Sequence, residues 1–410
     1  MNFDSGDVSW LLVSSALVML MVPGVALFYG GLVRRKNVVS TMMMSFAPLG
    51  AIGLLWVLYG YSLSFGSDQA GFIGGLDFVA LNHVGQSSSL VYATTVPHLA
   101  FMVFQAMFAV ITVALISGAV IGRVKFSAFM LFSVLWFTIV YCPVAHWVWG
   151  DGGWLSRLGV LDFAGGAVVH INSGMSALAL AMLLGPRKGF PDEAMEPSNV
   201  PIVLLGAGLL WFGWFGFNGG SALTSGGLAS NAFVATNISA AAATLTWMLI
   251  SWVHRRPTLI GAATGAVAGL VAVTPAAGFV SPIMGIPIGA VAALVCYYCM
   301  SLRMRRRIDE SLDVWAVHGM GGIWGALATG IFANVAVNDT GISGAIYGNT
   351  AQVARQIVGI VAVGGYSFGI TRLLGTFIER TIGLRVRQDE ETVGLDISQH
   401  GERAHGGIVT

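Results

Sequence analysis

The chain has 410 residues, of which 56% are hydrophobic and only 10% charged, with a net charge of +1. A charged share far below the usual value of about 25% cannot keep a soluble protein of this length in water; the net charge of +1 says nothing about nucleic acid, and none is expected as a partner. What remains is an all-α polytopic membrane protein, because the apolar residues come in long runs such as 10–29 and 357–370, candidates for spans of roughly 20 residues.

Taken in order, the hydropathy pattern predicts eleven spans at about 8–30, 39–65, 95–121, 126–146, 162–184, 199–217, 231–253, 258–274, 283–302, 313–334 and 352–383. Met1 to Asp7 carries no basic region and no A-x-A site, so no signal peptide is expected. The connections after odd-numbered spans are basic: Arg34, Arg35 and Lys36; Arg123 and Lys125; Arg187 and Lys188; Arg255 and Arg256; Arg303, Arg305, Arg306 and Arg307. Those after even-numbered spans hold only Arg157, with Arg355 near the outer end of the last span. Positive residues mark the cytoplasmic side, which places the N-terminus outside and the tail inside. One miscounted span would break this alternation.

The connection 65–94 is rich in Gly and Ser and reads as an outer loop, and 185–197 reads as a charged inner loop. In span eight, Gly261, Gly265 and Gly269 form two overlapping GxxxG repeats on one helix face, a signature of close helix packing. Cys296 and Cys299 form a CxxC inside a span, and Cys142 stands alone; with no second pair or nearby His these read as small hydrophobes, so no metal and no cofactor is expected. In the tail, 384–410, Val393, Leu395 and Ile397 suggest a segment that docks on the inner face.

Two stretches break the apolar pattern. LDFAGGAVVHINSG, 161–174, holds Asp162 and His170; LDVWAVHGMGG, 312–322, holds Asp313 and His318. Ionisable groups inside spans are costly and usually face a bundle interior or a conduction path. Their places in spans five and ten suggest inverted five-helix repeats, at about 8–184 and 199–334, plus one additional helix at about 352–383, all within a transmembrane domain of 1–383. Five is odd, so the second unit enters from the opposite side, and such repeats bring a substrate path to the midplane. His170 and His318 would meet there. Burial disfavours the charged form of an imidazole, and a neutral ring offers one donor and one acceptor. A pair of them can line a path for a small polar solute or relay a proton, and both uses exclude bare metal cations.

Trp149 in AHWVWG lies just beyond span four, Phe104, Gln105 and Phe108 lie in the outer half of span three, and GWFGFNGGS brings Trp214, Phe217 and Ser221 to the outer end of span six. These aromatics form either an interfacial belt or, beside a hydroxyl, a site for a small cation held by a cation–π attraction of about 0.5–2 kcal/mol. Asp162 either favours the cationic form of a substrate or accepts hydrogen bonds from a helix N-terminus.

The stretches VPGVALFYGGLVRRKN, FQAMFAVIT, AHWVWG, LDFAGGAVVHI, WFGWFGFNGGS, VTPAAG, LDVWAVHGMGG and GLDISQHGE occur in this order. In them the chain resembles the ammonium transporter (Amt/MEP/Rh) family along nearly its whole length, most closely its bacterial and archaeal Amt branch. The resemblance implies a non-enzymatic ammonium transporter of the cell membrane, a homotrimer in which each eleven-helix subunit has its own pore and accepts methylammonium as an analogue. It implies outer recruitment of NH4+ at Trp149, Ser221 and Phe108, a gate of Phe108 and Phe217, a pore with twin histidines His170 and His318, and Asp162 as an acid needed for transport. A PII-type signal protein is an implied partner at the cytoplasmic face, beside the lipid bilayer itself. An ammonium sensor with little flux and an Rh-like neutral gas channel are the alternatives. The chain runs to Thr410 with no appended signalling domain, which favours transport over sensing. The tail departs from the family pattern at His405, where a tyrosine is often found, and DGGW after Trp149 reads as a small loop insertion.

Overall fold

The computed structural model describes residues 3–405. Met1 and Asn2, on which the expectation about a leader partly rests, and the last five residues of the predicted tail lie outside the described residues.

Among the described residues the helical segments follow the predicted order: Ser5–Leu32, Arg35–Phe65, His98–Val120, Phe126–Leu158, Gly166–Leu184, Val200–Gly220, Gly227–His254, Leu259–Val273, Pro282–Arg305, Trp315–Gly319 joined to Met320–Phe332, and Ala351–Thr381. Nine are long and apolar enough to cross a membrane by length and composition alone; Leu259–Val273 has 15 residues, and the tenth segment is diluted by glycines and His318. Span four runs as continuous helix to Trp149, which is therefore its last helical residue and not the first beyond it; a turn at 150–153 then leads into the short helix Trp154–Leu158.

Small residues set the packing. Spans one and six lie against each other along most of their length, and a Cβ on Gly206 would sit 2.4 Å from the Phe28 nitrogen. The glycine row of span eight does what its spacing predicts: Gly261 and Gly265 receive Trp247, and Gly269 lies against the Ser239 carbonyl, all on span seven. Without a hydrophobic drive between helices in lipid, such backbone proximity is the main source of association.

The two ends of the bundle differ. At one end, the connection expected as an outer loop at 65–94 runs from 66 to 97 and contains two small antiparallel pairs, Asp68–Gln69 with Ile73–Gly74 and Ser88–Ser89 with Ala93–Pro97; we call this the loop face. The basic connections gather at the other end, the basic face, together with the tail. There Leu395 is fully buried, whereas Val393 and Ile397 remain 58% and 39% exposed, so the expected apolar docking reduces to one anchor. Polar contacts do the rest. Lys36 Nζ donates to the Glu391 and Thr392 carbonyls, Asp396 accepts from the Ser40 amide at 2.8 Å, and Arg385 pairs with Glu391 at 2.8 Å.

Candidate functional site: a closed path through two histidines

Three cavities follow one another through the bundle. The first, of about 220 Å³, opens at the loop face between Phe65, Tyr92, Gln105, Phe108, Trp149 and Ser221. The second is narrow, about 20 Å³, and is walled by Tyr29, Leu115, Trp214, Phe217, His170 and His318. The third, of about 220 Å³, reaches the basic face past Leu312, Asp313 and Met300, and shares Phe28, Tyr29, Val267 and His318 with the second.

Trp149, Phe108 and Ser221, distant in sequence, therefore share one vestibule. The Phe108 ring stands edge-on to Trp149 at 5.8 Å and meets Phe217 at 4.3 Å. Both phenylalanines are buried, at 1% and 0% exposure, and together they separate the vestibule from the histidine cavity. Ser221 Oγ donates to the Phe217 carbonyl at 2.8 Å, which leaves its lone pairs available. One vestibule group escaped sequence reasoning, Tyr92 from the loop-face connection; Gln105, named beside Phe108 in the sequence, lines the same space, and its buried Oε1 has no hydrogen-bond partner.

His170 and His318 lie in π-helical turns, Gly166–Ile171 and Trp315–Gly319, a form of helix that often marks functional positions. Their Nδ1 atoms face each other at 3.2 Å. His170 stacks on Trp214 at 5.5 Å and on Phe217 at 6.0 Å, and its Nε2 is buried without a partner. An Nδ1–Nδ1 bond requires one ring to donate and the other to accept. In the neutral pair, one ring then leaves Nε2 bare and the other carries its proton there. The pair thus offers the cavity one acceptor and one donor, and it can take up a further proton at Nδ1 only by breaking its own bond.

Glycines permit this proximity. A Cβ on Gly174, four residues after His170, would lie 2.2 Å from the Gly319 nitrogen; one on Gly322, four residues after His318, would lie 3.0 Å from the Gly166 carbonyl and 3.1 Å from the His170 Cβ.

Asp162 is buried and accepts four backbone amides, from Gly165, Gly166, Ala167 and Val168, at 2.6–3.1 Å. Of the two readings open in the sequence, the geometry is that of an acceptor at the start of the His170 helix. Asp162 still touches the vestibule indirectly, since Trp149 Nε1 donates to its carbonyl at 2.9 Å. Near His318, Asp313 forms an ion pair with Arg303 at 2.7 Å. The residue placed like Asp162 is Glu310, fully buried, which accepts the Trp315 amide at 3.1 Å. The signal was present in the sequence: Glu310 precedes His318 by eight residues, as Asp162 precedes His170.

A helical membrane bundle with a water-poor, occluded path between two vestibules is a conduit for small solutes. The model of the Ammonium Transporter Family matches residues 9–405. The chain is similar to Ammonium transporter Amt1 of Archaeoglobus fulgidus, 51% identical over 98% of this chain and 100% of that one. Its fold matches the crystal structure of Candida albicans Mep2 with a TM-score of 0.90 at 38% identity, covering 98% and 91% of the two chains. A structure titled Sensor Amt Protein aligns with a TM-score of 0.89 at 29% identity, over 96% and 98%. The chain belongs to the ammonium transporter family, whose members are multi-pass membrane transport proteins and not enzymes.

Proposed function

We propose that this protein takes ammonium from the vestibule at the loop face, strips its proton near Phe108 and Phe217, and passes ammonia along His170 and His318 to the basic face. Trp149 and Phe108 hold the cation by their ring faces and Ser221 by a hydrogen bond. The observation that carries this reading is the His170–His318 pair, joined at 3.2 Å in an otherwise apolar cavity behind closed phenylalanines. A bare cation entering that space would lose hydration worth many kcal/mol, whereas ammonia can donate to the bare Nε2 and accept from the protonated one. The proton either follows the histidines or returns to the vestibule. Asp162 serves by holding the His170 helix and the Trp149 indole in place.

In this reading the loop face is outside, the basic face and tail are cytoplasmic, and the membrane is the cell membrane. The halves 8–184 and 199–334 are inverted repeats with 352–383 added, ahead of a tail that starts at 384. The pairing of spans one and six, the crossing of spans five and ten, and the matching places of Asp162 and Glu310 support that division. Three such subunits assemble into a trimer, and the basic face with its docked tail is the place for a PII-type partner.

The test is ammonium-evoked current and methylammonium uptake in reconstituted vesicles across pH, for the native chain and His170→Leu. Uptake and current at native levels in His170→Leu would exclude the histidines from the path. The likeness to a sensor of the same fold supports a second reading, a binder that signals with little flux; native vesicles with neither current nor methylammonium uptake would favour it.

A further inference from the structure

Behind the vestibule, in the last turn of span four, lies His146, completely buried and unused by the mechanism above. Its Nδ1 is 3.0 Å from the Ser64 carbonyl, and its Nε2 is 3.0 Å from Asp68 Oδ1. A carbonyl only accepts. Asp68 has donors on every side: the Gly71 amide at 2.6 Å on Oδ1 and Arg157 at 3.1 Å on Oδ2, in addition to His146. A protonated carboxyl would face those donors with a donor, so Asp68 is an anion here. The hydrogen bond from His146 is the largest of the influences that hold its carboxyl below the usual range. Both ring nitrogens of His146 therefore face acceptors, and a neutral imidazole has only one N–H to give.

We propose that His146 is a buried imidazolium which, clasping Asp68, positions Trp149 in the vestibule; the positioning half rests on Trp149 being the recruitment residue. The route is short. Asp68 belongs to the pair Asp68–Gln69 with Ile73–Gly74 that folds over the end of span four. Its neighbours bind the same turn: Trp147 Nε1 donates to the Phe72 carbonyl at 2.8 Å, and the Trp154 amide donates to the Gly71 carbonyl at 3.2 Å. Trp149 ends the clamped helix, with its indole on the Asp162 carbonyl and its ring against Phe108. The charged groups around His146 are Asp68 on the hairpin and Arg157 on the short helix; Cys142 lies one turn back on its own helix, and Asp151 follows in the turn after it. A hydrogen bond between charged partners is about twice as strong as a neutral one, which suits a clasp that fixes a loop to a helix end.

The experiment uses the full chain in lipid bilayers with 15N-labelled histidine. Solid-state NMR should show an imidazolium resonance that is absent from His146→Gln. Asp68→Asn keeps an acceptor for the Gly71 amide and removes the charge, so it should convert that resonance to a neutral tautomer. A neutral signal from His146 in the native chain would overturn the assignment. In vesicles, both variants should raise the methylammonium KM several-fold, the range of one cation–π contact, with Vmax within about twofold of native. An unchanged KM where Trp149→Leu raises it would overturn the positioning role. An unchanged KM in Trp149→Leu itself would sink the recruitment reading and the positioning half with it, while the NMR signal would still decide the charge of His146.

Discussion

Replacing Gly174 by Ala is the sharpest perturbation of the histidine path that touches neither ring. The added Cβ would meet the Gly319 nitrogen at 2.2 Å and the Gly319 Cα at 2.4 Å, both backbone atoms that cannot rotate away. Ordinary contact begins near 3.4 Å, so spans five and ten must part by about 1.2 Å along that direction. A comparable shift between His170 and His318 would lengthen their 3.2 Å bond beyond hydrogen-bond reach. Overpacking of this kind costs about 1–3 kcal/mol, and misplacement of about 1 Å in a reacting site can cost on the order of 100-fold in rate. Gly174→Ala should therefore lower the thermal unfolding temperature and abolish most methylammonium uptake. Gly322→Ala, with its nearest atoms at 3.0–3.1 Å, should do less of both. Gly50→Ala, where nothing lies within 4 Å, serves as the control and should be neutral or slightly stabilising. If Gly174→Ala transports and unfolds like Gly50→Ala, the claim that backbone contact sets the histidine geometry fails.

Other consequences are as specific. Asp162→Ala leaves four buried amides without their acceptor, at about 1–3 kcal/mol for each one that water cannot reach; calorimetry should show a large loss of stability, accompanied by loss of uptake. Glu310→Gln keeps an acceptor for the Trp315 amide and should unfold near the native temperature, whereas Glu310→Leu should not; equal unfolding of the two would remove Glu310 from that role. Asp309 is bound through both oxygens by Arg187, at 2.7–2.9 Å, with its carbonyl held by Arg123 at 2.5 Å. Burial pulls its carboxyl upward, but the hydrogen bonds and charge of Arg187 outweigh that and hold it below the ordinary value of 3.8. Its contribution is thus fully present above that value and lost as pH falls through the lower folded value. Asp309→Asn should lower stability at neutral pH by about 3–5 kcal/mol, as expected for breaking a buried pair. Unfolding followed down to about pH 2 should show the gap closing; a gap independent of pH would refute the assignment.

Much was legible before any coordinates. Span number and order follow from hydropathy, and Gly261, Gly265 and Gly269 share a face because helical periodicity is local. The recurrence of a histidine in spans five and ten singled out His170 and His318 without a partner in view. Sequence proximity and apolar character left side-chain partners and burial open. Asp313 is close to His318 in sequence but belongs to Arg303, and Val393 and Ile397 look apolar yet stay exposed while Leu395 alone is buried.

Composition, period and spacing determined that this is a membrane bundle, where its helices run and which residues are out of place in them, since each of these depends on a few consecutive side chains. Only the tertiary structure decided that the two imidazoles meet through Nδ1, that Trp149, Phe108 and Ser221 share one vestibule, and that both nitrogens of His146 face acceptors. Those facts depend on how each helix is rotated about its axis. An extra residue in a π turn changes that rotation by about 100°, and the close glycine contacts between distant segments then fix it.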